Sequence, residues 1–153
     1  MDSDICAIKF DTQHEGQDRG VHFLDCPSVK RANGLCEFMQ LPKQAQFYFR
    51  ASFDYWNDRR FNDGRFHGFK SSYKKGVYKE CFVFKNIGQK CRLYGFLSRP
   101  ESPGDAELCI LVLFCQKKED ATDETMLKRV NEIRARKDVI EAIRRFRDEQ
   151  RGS

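Results

Sequence analysis

The residues of this chain best suited to chemistry are cations, and they are gathered in one stretch. Residues 61–100 hold nine Lys and Arg against two Asp and Glu, a net of +7, while residues 1–60 and 101–153 each stand at −1. The chain's +5 therefore comes from a region containing Lys70, Lys74, Lys75, Lys79, Lys85, Lys90 and Arg92. Concentrated positive charge is the footprint of a polyanion partner, either nucleic acid or an acidic protein segment. A solvated, lysine-rich sheet edge that resists aggregation gives the same pattern. Arginine grips phosphate oxygens through its planar fork, and a lysine among other cations loses its proton more readily and so serves as base or acid. His67 is the one histidine in the stretch. A lone loop histidine is more commonly a surface residue, but it is the best general base on offer if lysines do not suffice.

Three β-type runs must position these groups. Residues 77–85 and 90–97 flank a turn at 86–89, where Gly88 is free to take a positive φ, so they read as a hairpin. Residues 107–115 contain the unbroken apolar run LCILVLFC, the pattern of a central strand covered on both faces. Alternation along the first strand puts Lys79, Cys81, Val83 and Lys85 on one face and leaves Phe82 and Phe84 for the core. On the second strand Arg92, Tyr94 and Phe96 share a face, so Tyr94 is either core packing or a platform for a base beside the arginine. Glu80 falls on the other face and reads as an ion-pair partner for a nearby lysine.

The flanks read as follows. Residues 5–10 form a short strand, and 21–25 a second strand or the return limb of a hairpin. Ser28 offers an N-cap, although Asn33-Gly34 interrupts a helix over 29–41. Pro42 opens a second helix whose stripe is Ala45, Phe49, Phe53 and Trp56, completing an α-hairpin. Residues 61–76 are a Gly/Ser/Lys-rich approach to the sheet. After it, Glu119, Asp120, Asp123 and Glu124 crowd the first turn of a helix with Met126, Val130 and Ile133 inward. The phase breaks at 134–137, and Asp138 with Glu141 makes a capping-box-like restart. The predicted class is α+β.

At 153 residues and 40% apolar, the chain fits one globular domain. No apolar run approaches the roughly 20 residues needed to span a bilayer, and the N-terminus lacks a basic region followed by an apolar one. A soluble, cytoplasmic protein with no membrane partner is expected. Seven cysteines without a CxxC pair, most inside predicted elements, read as free buried thiols, with neither metal nor cofactor.

The run GVYKECFVFKNIGQKCRLYGF resembles the paired strands of RelE/HigB-type toxins of bacterial toxin–antitoxin systems. There a strand opening with an aromatic and a charged residue is followed, after a short turn, by a strand carrying Arg. ILVLFCQKKEDATDETMLKRVNEIR resembles the family's last strand, its basic pair and the helix that follows. The similarity spans about 42–136 and implies a single RelE-like domain over 1–153, with 1–27 an N-terminal extension and 137–153 an additional C-terminal helix. It implies a metal-independent endoribonuclease that cuts mRNA on the ribosome and is neutralised by a cognate antitoxin. Carried over by position, the catalytic set is Lys79, Arg92 and Lys118, with His67 as the further base. Lys70, Lys74, Lys75, Lys85, Lys90, Tyr94 and Lys117 would contact RNA. The chain departs from the family in having Cys81 where a second basic residue is common, and EDATDET where a Tyr or His often opens the last helix. Two alternatives on the same scaffold are a ParE-like gyrase inhibitor and an inactive RNA- or protein-binding module.

Overall fold

The computed structural model of the chain describes residues 6–9, 18–29, 31–116 and 124–152. It is an α+β fold around a six-stranded mixed sheet. In chain order the elements are β1 (Ala7–Lys9), β2 (Arg19–Asp25), α1 (Gly34–Gln40), α2 (Lys43–Asn57), β3 (Phe66–Gly68), β4 (Cys81–Asn86), β5 (Cys91–Ser98), β6 (Glu107–Gln116), α3 (Glu124–Arg134) and α4 (Lys137–Gly152). The strand order is β1-β2-β6-β5-β4-β3. All neighbours are antiparallel except β2 and β6, which run parallel.

The apolar run of β6 makes it central. Its two sets of side chains enter two separate cores, Leu108, Ile110 and Val112 on one face and Cys109 and Leu111 on the other. The second face is closed by α1 and α2. There the α2 stripe of Ala45, Phe49, Phe53 and Trp56 is buried as its spacing requires. Phe53 meets Phe84 edge-on at 4.9 Å, and Phe38 meets Phe23 at 5.0 Å, so much of this core is aromatic. The first face is closed by α3 and α4 through Leu127, Val130, Ile133, Val139, Ala142 and Ile143.

Several expectations change once the strands are paired. The N-terminal residues set apart as an extension supply β2, which lies beside β6 in the sheet. Asn33-Gly34 does not interrupt a helix but starts α1. A Cβ at Gly34 would come within 3.0 Å of the Val112 carbonyl carbon, and Asn33 Oδ1 accepts the Phe114 N–H at 2.9 Å. That N–H lies past the end of the β2–β6 ladder, so the side chain replaces a missing strand partner. In the β4–β5 hairpin the positive φ falls at Lys90, not Gly88. Gly95 marks a bulge against β6, where a Cβ would sit 2.1 Å from the Ile110 carbonyl oxygen.

The cysteine reading also needs correction. Continuing the β1–β2 register from Ala7↔Asp25 sets Cys6 opposite Cys26, and the two are joined in a disulfide with Cα atoms 4.1 Å apart. The pair is created by strand pairing across a hairpin, which no local spacing announces. Cys81, Cys91 and Cys109 are buried thiols as expected, whereas Cys36 is exposed.

Candidate nucleic-acid interface

Register decides which of the expected residues meet. Cys81 and Val83 point into the core under α3 and α4, so alternation places Lys85 on that same face. Tyr94 and Phe96 lie there too, which places Arg92 with them. Lys85 and Arg92 are direct cross-strand partners, and Arg92 is in turn opposite Cys115 of β6. A row Lys85–Arg92–Cys115 therefore crosses three strands at one end of the sheet, and all three side chains are half-buried. Directly opposed side chains have Cβ atoms roughly 5 Å apart, so the two cations project from neighbouring positions of one face.

The next row along the same face is His67, Val83, Tyr94 and Leu113. His67 sits on the edge strand β3, half-buried, with its Nδ1–H donated to the Gly68 carbonyl at 2.7 Å. In the neutral ring that bond makes Nε2 the basic nitrogen. Pleat geometry puts the His67 and Lys85 backbones roughly 8 Å apart, within reach of one phosphodiester between their side chains. Tyr94 is only 1% exposed, so it belongs to the core and offers no face on which a base could stack.

Lys79 does not join this face. The chain takes three successive left-handed residues, Lys74, Lys75 and Gly76, with φ of 49°, 59° and 79°. It then turns through hydrogen bonds from Lys79 N to Gly76 O and from Cys81 N to Tyr78 O before β4 begins. Lys79 is therefore an exposed turn residue, and Lys70, Lys74 and Lys75 are exposed on the same approach. Lys74 is paired with Glu124 at 3.8 Å, and Tyr78 donates to the same carboxylate at 3.3 Å, so this basic turn is pinned to the start of α3. Lys90 is exposed at the tip of the β4–β5 hairpin. Glu80 pairs with Arg99 at 3.6 Å, where a lysine was expected. Lys117 and Lys118 lie outside the described residues.

Cys81, which stands where a cation was looked for, is sealed by α3. Its Sγ lies 3.4 Å from Asn131 Oδ1, and burial pushes the thiol up to about 11, so it is no nucleophile at neutral pH. Asn131 Nδ2 also donates to the Val77 carbonyl at 2.9 Å. α3 is thus seated on the Cys81 end of the face, and the Lys85–Arg92 row occupies the opposite end. Among the described residues one group of potential metal ligands stands together, Cys6, Cys26 and Asp138. The two sulfurs are bonded to each other, and Asp138 is engaged by Arg136 at 2.9 Å and by Ser28 at 3.3 Å. Cys115 was not singled out from the sequence, although counting alternate positions back from it to Leu113 would have put it on this face.

Comparison with protein-family models, with curated proteins and with solved structures returns no match to this chain.

Proposed function

We propose that this protein binds RNA at the Lys85–Arg92 end of its sheet and cuts it there by attack of a ribose 2′-OH on the adjacent phosphorus. His67 Nε2 takes the hydroxyl proton, and O2′ bonds to phosphorus. Arg92 and Lys85 stabilise the charge that builds on the phosphorane oxygens. The P–O5′ bond then breaks, leaving a 2′,3′-cyclic phosphate and a 5′-hydroxyl, with the Lys85 ammonium as proton donor to the departing oxygen. The observation that carries the reading is the direct pairing of Lys85 with Arg92, one row from His67 on the same sheet face. The resemblance to RelE/HigB-type toxins supplies the biological setting, with mRNA on the ribosome as substrate and a neighbouring antitoxin as inhibitor. A non-cleaving RNA-binding module is the second reading, favoured by Lys79 lying in a turn away from the row and by the sealed Cys81.

The test is ribosome-programmed mRNA cleavage by purified variants, with circular dichroism as the folding control. Arg92→Ala should remain folded and lose roughly 10²–10³ in cleavage rate, the usual cost of one preorganised charge contact. Arg92→Lys should recover part of that loss, because an ammonium cannot reproduce the bidentate fork. A folded Arg92→Ala protein that cuts at the wild-type rate removes this face as the active site. Binding by the wild-type protein without cleavage selects the second reading.

A further inference from the structure

A second set of cations lies outside the 61–100 stretch. Residues 126–137 hold five Lys and Arg against one Glu, a net of +4, which is hidden when 119–149 is counted whole, eight cations against nine acids. Part of that set lines a cleft of about 250 Å³ between α3 and the turn after β2, walled by Arg31, Arg129 and Arg136 with Ser28 and Glu132. Among the described residues neither Arg31 nor Arg129 is ion-paired, and Arg129 only touches the Met126 sulfur at 3.9 Å. Arg136 is held in a fork with Asp138 at 3.0 and 2.9 Å. Among the described residues, three guanidiniums against Glu132 and Asp138 leave the cleft at +1, a match for the single charge of a phosphodiester and a poor one for a dianionic terminal phosphate. Val29 and Ile133 are the apolar lining, and among the described residues no aromatic ring lines the cleft, so it suits backbone and sugar, not a base.

Its place in the fold ties it to the Lys85–Arg92 row. β2 runs parallel to β6 as far as Phe23↔Leu111, and past that point Asn33, not a strand residue, meets β6 at Phe114, next to Cys115. The Asn33–Phe114 hydrogen bond holds the turn there. Cys115 and Val29 both pack on the core of the α3 side. Arg31 is two residues from Asn33, and Cys115 is the cross-strand partner of Arg92, so the cleft opens at the same end of the sheet as Arg92.

We propose that this cleft is a second phosphodiester subsite, which grips a single-stranded RNA at a nucleotide neighbouring the one held by Lys85 and Arg92. The inference rests on the reading of the chain as RNA-directed, but not on cleavage. The probe is a fluorescent single-stranded 2′-O-methyl oligoribonucleotide, which cannot react through its 2′ oxygen, titrated by anisotropy over a range of NaCl concentrations. Arg31→Ala/Arg129→Gln in the full chain should bind roughly tenfold more weakly, with the slope of log K against log salt shallower by about 1.4, the value for two lost single-strand phosphate contacts. Arg129→Lys alone should keep the salt slope, since it keeps the charge. Equal affinity and slope for the double variant and the wild type would overturn the subsite even if mRNA is cleaved. A weakened double variant beside a wild type that cuts nothing would keep the subsite and discard the ribonuclease. Absence of binding by the wild type overturns both.

Discussion

Cys81 and Cys91 show how burial sets reactivity residue by residue. Each thiol is pushed up to about 11 by desolvation, because a thiolate in the core gives up its hydration, a cost that the Arg134 charge only partly offsets at Cys81. Cys109, in the centre of β6, is pushed up further still. Cys36, by contrast, is exposed on α1. A thiol-reactive probe at pH 8 should label Cys36 quickly in the native protein and reach Cys81, Cys91 and Cys109 only on unfolding, with peptide mapping to assign the sites. Rapid native labelling of Cys81 would mean that α3 lifts from β4, since its thiol sits against Leu127 and Asn131 of that helix. The same comparison separates a packing cysteine from a chemical one in the row beside Arg92, where Cys115 is half-buried.

Among the elements, α4 is the most elaborately fixed. Arg147 is 3% exposed and donates to the carbonyls of Ser98, Arg99 and Ala106 and to the Ser98 hydroxyl at 2.8–3.0 Å. Asp105 lies under it and accepts from Arg151 Nε and Nη2, at 2.9 and 2.7 Å. Arg147→Ala should lower stability by about 2–4 kcal/mol in urea melts, because the carbonyls turned toward it lose a charged donor. The hydrogen bond from Arg151 holds the Asp105 carboxyl well below the usual carboxylate range. A folded-state value depressed in this way contributes stability that is full above the unfolded value of about 3.9 and is lost as pH falls below it. Asp105→Asn should therefore cost stability at pH 7 and flatten the loss between pH 4 and pH 2, roughly the window set by that shift; an unchanged acid limb would count against this role. Under the other end of α4, β1 is tied to β2 by Cys6–Cys26. Denatured protein kept free of reductant should titrate five thiols, rising to all seven after reduction.

For the molecule as a whole, the sheet has a core on each face and neither can be given up. No helix among the described residues is long and apolar enough to cross a membrane, and the apolar faces of sheet and helices are buried against one another within the chain. A protein ending at residue 136 would uncover the places where Val139, Ala142 and Ile143 pack, together with the β1–β2 edge beneath them. It should lose its cooperative urea transition and bind a hydrophobic dye. A cooperative, dye-negative truncation would show that 137–153 is an addition to a complete domain. The positive charge obeys a different logic, since it gathers at one end of the sheet and on the turns that lead into it.

What the sequence determined by itself was local. The β4–β5 hairpin, the β6 run and the α2 and α3 stripes follow from side-chain period and turn residues within a dozen positions of each other. The cations Lys85 and Arg92 and the histidine at 67 were likewise legible as residue types. Alternation also told which residues of one strand share a face. It could not tell whether that face is open or covered, and Tyr94 and Cys81 turned out to be sealed by α3. Register across strands set Lys85 opposite Arg92 and Cys6 opposite Cys26, and the left-handed turn at Lys74–Gly76 took Lys79 off the face. Charge summed along the chain found the stretch at 61–100 but missed Arg31 and Arg129. Those two are far apart in sequence, and folding brings them to one cleft because β2 enters beside β6.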